Sequence, residues 1–176
     1  MRVELVSVGT ELLLGDIVNT NTAYLSKELA ALGIGVYRHT TVGDNHDRLI
    51  DTLKTAFSEN DTVIITGGLG PTDDDITKEC AAEYFGRDFY FHEYSWVKIL
   101  EIIARSGMST VTNNNKKQAM IPDGAIILEN FCGTAPGIIL EEENKRIIDK
   151  LEEIKKIHYV VSREKDIRKT EEILNR

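Results

Sequence analysis

Residues 62–75, TVIITGGLGPTDDD, decide the fold: an apolar run from Thr62 to Thr66 breaks into Gly67, Gly68 and Gly70 and then into Asp73, Asp74 and Asp75. A short apolar run ended by glycine predicts a strand buried on both faces of a parallel sheet. The glycines let backbone amides approach a ligand closely, and Pro71 and Thr72 are expected to lead into a helix whose N-terminus favours an anion. The loop is thus a phosphate or pyrophosphate cradle, or a tight strand-to-helix turn with glycines for steric reasons alone; by itself it weighs equally for both. Two familiar phosphate loops are absent, since GxxxxGK(S/T) does not occur and G-G-L-G-P-T does not complete GxGxxG.

Toward the N-terminus, Val3 to Val8 predicts a first strand stopped by Gly9, followed by the loop TELLLGDIVNTN. Leu25, Leu29 and Leu32 have helical spacing, with Asn21 or Thr22 as N-cap and Gly33 as stop. Val36 to Val42 is the second strand; after Gly43-Asp44-Asn45, the set Leu49, Ile50, Leu53, Ala56 and Phe57 marks one helix face. Toward the C-terminus come a helix carrying Ile76, Cys80 and Tyr84, another with Trp96, Ile99, Leu100 and Ile103, and a polar run at 112–118. A turn at Pro122-Asp123-Gly124, a strand from Ala125 to Leu128, the loop Gly133-Thr134-Ala135-Pro136-Gly137 and a strand from Ile138 to Leu140 complete the pattern. A hairpin tip is expected near Glu141 to Arg146, and from Ile147 onward the chain is charge-dense, with Leu151, Ile154 and Ile157 at roughly helical spacing. The division expected is one domain over 1–148 and a charged, helical tail over 149–176.

Alternation of strands and helices implies right-handed crossovers and a mostly parallel sheet with helices on both faces. Ligands bind such sheets beyond the carboxyl ends of the strands. Those ends carry Thr10 and Glu11, then Asp44, then the glycine loop.

With 176 residues, 41% hydrophobic and 28% charged, the chain has ordinary globular composition. No apolar run approaches the ~20 residues of a membrane span, and the first residues do not read as a signal peptide, so the expected compartment is the cytoplasm. A formal charge of −8 argues against a general nucleic-acid binder. Cys80 and Cys132 have no metal-ligand or disulfide spacing. None of His39, His46, His92 and His158 has a sequence partner that suggests catalysis, and no serine sits in GxSxG.

Asp73, Asp74 and Asp75 would cap a helix, for which one carboxylate suffices, or hold a hard cation such as Mg2+ that reconciles acids with phosphate. Thr10, Glu11, Asn19, Thr20 and Asn21 are candidates to hydrogen-bond a ribose or base, or else their own backbone. Asn114, Lys116, Lys117 and Gln118 bring two cations that would screen a phosphate or simply begin an exposed helix.

The segments VSVGTELLLGDIVNTNTAYLSKELAALGI, TTVGDN, ITGGLGPTDDDITKE, NNNKKQAMIP and GTAPG, in this order, resemble the N-terminal domain of the CinA family (competence/damage-inducible), within the molybdopterin-binding superfamily of MogA, MoaB and the central domain of MoeA. The resemblance spans Val3 to Leu140. It implies a three-layer α/β/α sandwich with a mostly parallel sheet and, for the CinA branch, a divalent-metal-dependent (Mg2+ or Co2+) pyrophosphatase that splits ADP-ribose into AMP and ribose 5-phosphate. A non-catalytic nucleotide- or pterin-binding module is the alternative. By resemblance, Asp44 and Asp75 are the catalytic candidates and Asp44, Asp74 and Asp75 the metal ligands. Thr10, Glu11, Asn19, Asn21, Gly67, Gly68, Gly70, Asn114, Lys117, Gly133 and Thr134 are the substrate-binding candidates. The family also implies homo-oligomerisation and, in full-length members, a second amidase domain for which 176 residues leave no room. The resemblance further implies a strand and a G-(V/I)-P-x-E-M-like loop soon after GTAPG; Arg146-Ile147-Ile148 resembles the strand, and Asp149-Lys150-Leu151 replaces the loop.

Overall fold

The computed structural model describes residues 2–105, 113–130, 133–142 and 145–149. The expected tail therefore lies, from residue 150 on, outside the described residues, as do Cys132 and, of the segment in place of the proline-containing loop, Lys150 and Leu151. In chain order the elements are β1 (Val3–Val8), α1 (Thr10–Leu14), α2 (Thr20–Ala31), β2 (Val36–Val42), α3 (His46–Glu59), β3 (Thr62–Thr66), α4 (Thr77–Tyr84), β4 (Phe89–Phe91), α5 (Glu93–Arg105), α6 (Asn113–Gln118), β5 (Met120–Pro122), β6 (Ile126–Leu128), β7 (Gly137–Glu142) and β8 (Lys145–Asp149).

Six strands form one sheet in the order β2-β1-β3-β8-β7-β6. Its β2-β1, β1-β3 and β3-β8 ladders are parallel, and β7 runs antiparallel to both β8 and β6. β1 and β3 are buried along their whole length, as continuous apolar runs require when both faces are covered. Successive side chains go to opposite faces. Val6, Val8, Val63, Ile65 and Ile147 pack with Leu49, Leu53 and Phe57 of α3 and Cys80 and Ala81 of α4. Val3, Leu5, Ile64, Ile139 and Ile148 pack with Leu25 and Leu29 of α2. Helices on both faces of a mostly parallel sheet make the expected three-layer sandwich. β4 and β5 form a separate antiparallel pair, joined to a smaller cluster of Ile99, Ile103 and Ala119.

Four local expectations are corrected. The TELLLG segment contains a short helix, α1, ended by Gly15 at φ 79°. The N-cap of α2 is Asn19, two residues before the expected start: its side chain accepts from Thr22 N at 3.1 Å while its amide donates to Ser7 Oγ at 2.8 Å. Pro122, expected in a turn, ends the short strand β5, where it lies opposite Phe89 of β4. Ile147 to Asp149 belong to β8, between β3 and β7, so the charge-dense stretch begins inside the sheet.

Two polar ties position α3. Asn45 caps it by accepting from Arg48 N at 3.1 Å. Asn45→Ala is expected to cost about 1 kcal/mol, read as a lowered urea midpoint at unchanged slope; an unchanged midpoint would mean that water replaces the cap. His46 joins α3 to α4, its Nδ1 3.0 Å from Asp47 Oδ1 and its Nε2 2.7 Å from Glu83 Oε2. Hydrogen bonding to Asp47 first, then to Glu83, raises the imidazole pKa above its ordinary 6.5. Because the folded value is the higher one, the tie contributes fully below the unfolded pKa and is lost as pH rises through the raised folded value. Glu83→Gln is expected to lower the His46 midpoint in an NMR titration; an unmoved midpoint would refute the tie.

Candidate functional site

Register carries the informative loops to one edge. Ser7 of β1 lies beside Thr66 of β3 and Thr41 of β2, so Thr10, Asp44 and Gly67 follow neighbouring strand ends. β7 runs the other way, and Ile138 at its start pairs with Asp149, which pairs with Ile65. The Gly133-Thr134 loop that enters β7 therefore reaches the same edge. The strand order reverses at β1 and β3, the topological switch where such sheets bind ligands.

The glycine loop passes so close over β1 that a Cβ on Gly67 would lie 2.0 Å from the Val8 carbonyl oxygen, and Gly67 has φ 94°. Thr77, the first residue of α4, anchors the loop: its Oγ1 donates to Gly67 O at 2.8 Å and its N to Gly68 O at 3.1 Å. A Cβ on Gly68 would meet Thr77 Oγ1 at 2.2 Å, and one on Gly70 would meet the Asp75 carboxylate at 2.3 Å. The amides of Gly68, Leu69 and Gly70 donate to no acceptor among the described residues. Three consecutive amides without a protein acceptor are available to one from outside the chain.

The aspartates do not cap α4, which begins at Thr77 with Ile76 as N-cap and no side-chain cap. They close the turn before it: Asp75 Oδ2 accepts from Thr72 N at 3.0 Å and from the Thr72 hydroxyl. The same hydroxyl reaches Asp74 and, as the main cause, holds that exposed carboxyl below its ordinary pKa. Asp73 is exposed. Asp44 is engaged elsewhere, its Oδ2 accepting from Thr10 N at 2.8 Å and Thr10 Oγ1 at 2.9 Å. Among the described residues no three His, Cys, Asp or Glu side chains converge as a metal site. The expected three-carboxylate set is thus divided, with Asp74 and Asp75 on Thr72 and Asp44 on Thr10.

Of the other candidates, Asn19 spends its side chain on the α2 cap and on Ser7, within a cluster that includes the Ser7–Thr22 hydroxyl contact at 3.0 Å. Glu11 is exposed in the first turn of α1, Asn21 half-buried in α2 and Asn114 exposed on α6. Lys117 holds the turn, donating to the carbonyls of Thr72, at 3.1 Å, and Asp75, with Glu79 at 3.6 Å. Gly133 N donates to Asn130 Oδ1 at 3.1 Å. Sequence reasoning missed Lys78 and the burial of Gln118. Lys78 is 6% exposed and donates to the carbonyls of Lys117 at 3.0 Å and Gln118 at 3.2 Å. Burial pushes the Cys80 thiol up to about 12, which leaves it no nucleophile.

Residues 4–151 match the family model described as "Probable molybdopterin binding domain". The chain belongs to that family, in its CinA-like branch. It is 57% identical over 148 residues to a CinA-like protein of Dictyoglomus thermophilum and 52% identical over 148 residues to one of Kosmotoga olearia, in each case covering 84% of this chain and 36% of the relative. The chain therefore spans 36% of the length of these curated relatives. A crystal structure of the protein CinA, of unknown function, from Thermoplasma acidophilum superposes with a TM-score of 0.78 at 34% identity, over 94% of this chain and 97% of that one. MoaB from Thermus thermophilus, at 15% identity and a TM-score of 0.52 over 84% of this chain and 79% of that one, shares the fold. No helix among the described residues is long and apolar enough to cross a membrane.

Proposed function

We propose that this domain binds a nucleotide through its phosphates and hydrolyses the pyrophosphate bond of ADP-ribose, giving AMP and ribose 5-phosphate. The observation that carries the phosphate part is the run of free amides at Gly68, Leu69 and Gly70, held rigid by Thr77 beside the switch point. The substrate rests on the CinA resemblance. The donor chemistry of Asp74 and Asp75, all oxygen, suits a hard divalent cation such as Mg2+ or Co2+ that takes one or two carboxylates and completes its shell with water and phosphate oxygens. Such an ion supplies charge neutralisation on the pyrophosphate.

The chain's own groups do the rest by position. The amides hold one phosphate, and Lys117 keeps the aspartate turn in place. Asp44 and Asp75, each oriented by a threonine, are the groups to align a water. Water oxygen bonds to one phosphorus, the bridging P–O bond breaks, and the water proton passes to the carboxylate. Thr10, Glu11, Asn21, Gly133 and Thr134 surround this edge as ligand contacts.

The division of the acids between Thr10 and Thr72 favours a second reading, a nucleotide- or pterin-binding module without catalysis. Chromatographic assay of AMP release from ADP-ribose, with and without Mg2+ or Co2+, separates them. Metal-dependent AMP that disappears in the Asp74→Ala, Asp75→Ala double variant is the expected result. No AMP from a sample that still binds ADP-ribose by calorimetry would leave the module.

A further inference from the structure

Gln118 is 2% exposed, and its Nε2 donates to Leu69 O at 3.3 Å. That bond fixes the amide's orientation, and Oε1 is left buried with no partner among the described residues. A buried acceptor without a donor is costly enough that native proteins rarely leave one unmet. Gln118 lines a partly enclosed cavity of ≈ 10 Å³, measured to the centre of a water-sized sphere, that is shared with Gly68, Leu69, Gly70, Asp75 and Glu79. Space of that size admits about one oxygen atom.

The chemistry of the wall says which oxygen. Asp75, Glu79 and Gln118 Oε1 are acceptors. The two lysines at the cavity direct their ammonium groups to main-chain carbonyls, Lys78 to residues 117 and 118 and Lys117 to residues 72 and 75. A phosphate oxygen brings no proton to Gln118 Oε1, whereas a hydroxyl supplies the donor that this acceptor lacks. The phosphate belongs on the amides of Gly68 to Gly70, which rim the same cavity, so the hydroxyl must sit a few bonds from phosphorus. We propose that Gln118 is a substrate-positioning residue whose Oε1 accepts a hydrogen bond from a sugar hydroxyl of a phosphorylated sugar. This rests on the reading of the glycine loop as a phosphate site.

The test is a cycle of two ligands and two proteins, followed by NMR titration. Ribose 5-phosphate and methyl phosphate share the phosphate but not the hydroxyls; Gln118→Met keeps the shape but not the acceptor. The wild-type chain is expected to bind ribose 5-phosphate about 5–10-fold more tightly than methyl phosphate. Gln118→Met should abolish that ratio, with its lost bond to Leu69 O weakening both ligands alike, and Gln118→Glu, which retains an oxygen, should keep the ratio even though its charge weakens both ligands. Equal wild-type affinities overturn the proposal, as does an unchanged ratio in Gln118→Met. If Gln118→Met does not fold, the wild-type ratio decides alone. If the wild-type chain binds neither ligand, it is the phosphate reading of the loop that fails, and the assignment of Gln118 with it.

Discussion

Gly67→Ala is expected to destabilise the domain by about 3 kcal/mol or more and to abolish pyrophosphate binding. Two separate costs add. At φ 94° an L-residue is strained, and the new Cβ would lie 2.0 Å from the Val8 carbonyl oxygen. That oxygen belongs to the backbone of a buried central strand, so it cannot swing aside as a flexible side chain would. The loop must lift, and lifting it breaks the Thr77 Oγ1 bond to Gly67 O that holds the free amides in place. Gly33→Ala separates the two costs, because Gly33 has φ 75° and nothing within 4 Å of its would-be Cβ. It should lose only about 1 kcal/mol, the conformational part. Urea unfolding of both variants measures the difference. A Gly67→Ala midpoint no lower than that of Gly33→Ala would show that the loop tolerates displacement, and would remove the rigidity on which the phosphate reading depends.

The sandwich was legible because its central strands are apolar runs bounded by glycine and because α3 repeats its buried residues at helical spacing. Leu49, Ile50, Leu53, Ala56 and Phe57, taken from spacing alone, are all buried against the sheet. The site was legible as an edge, since strand ends name themselves in a parallel sheet. What sequence could not supply was set by long-range pairing. Phe89–Phe91 and Met120–Pro122 are three residues each and become strands only through one another, across some thirty intervening positions. Arg146 to Ile148 was legible as a strand only through the family resemblance, because a strand of five residues between charge clusters has no local signature of centrality; its place between β3 and β7 comes from long-range pairing. The aspartates illustrate a different limit. An acid run after a glycine loop is the usual mark of a helix start, yet Thr77 takes the anchoring role and the acids turn back on Thr72. No sequence rule would have buried Lys78 and Gln118, because lysine and glutamine are mostly exposed residues and their partners here are main-chain oxygens.

Lys78→Met is expected to cost about 2–4 kcal/mol, since it removes two charge-assisted hydrogen bonds from a buried position. Methionine keeps most of the apolar stem, so packing changes little and the loss reports on the ammonium. Its acceptors, the carbonyls of Lys117 and Gln118, stand at the C-terminal end of α6, where helix carbonyls lack intrahelical partners and carry the negative end of the dipole. Without the ammonium these oxygens are left in a buried setting. The effect should spread to the site, because Lys117 in turn grips the carbonyls of Thr72 and Asp75 while Gln118 grips that of Leu69. Lys78 thus fastens α4 to α6, and α6 fastens the glycine loop and the aspartate turn from behind. Pyrophosphate affinity is expected to fall about 10-fold in the same variant, a loss of roughly 1.4 kcal/mol. Urea unfolding and calorimetry on one preparation read both effects. A variant within about 0.5 kcal/mol of wild type would mean that relief of the buried charge's desolvation balances its lost hydrogen bonds. A destabilised variant with unchanged pyrophosphate affinity would separate the brace from the cradle and leave Thr77 alone to hold the amides in position.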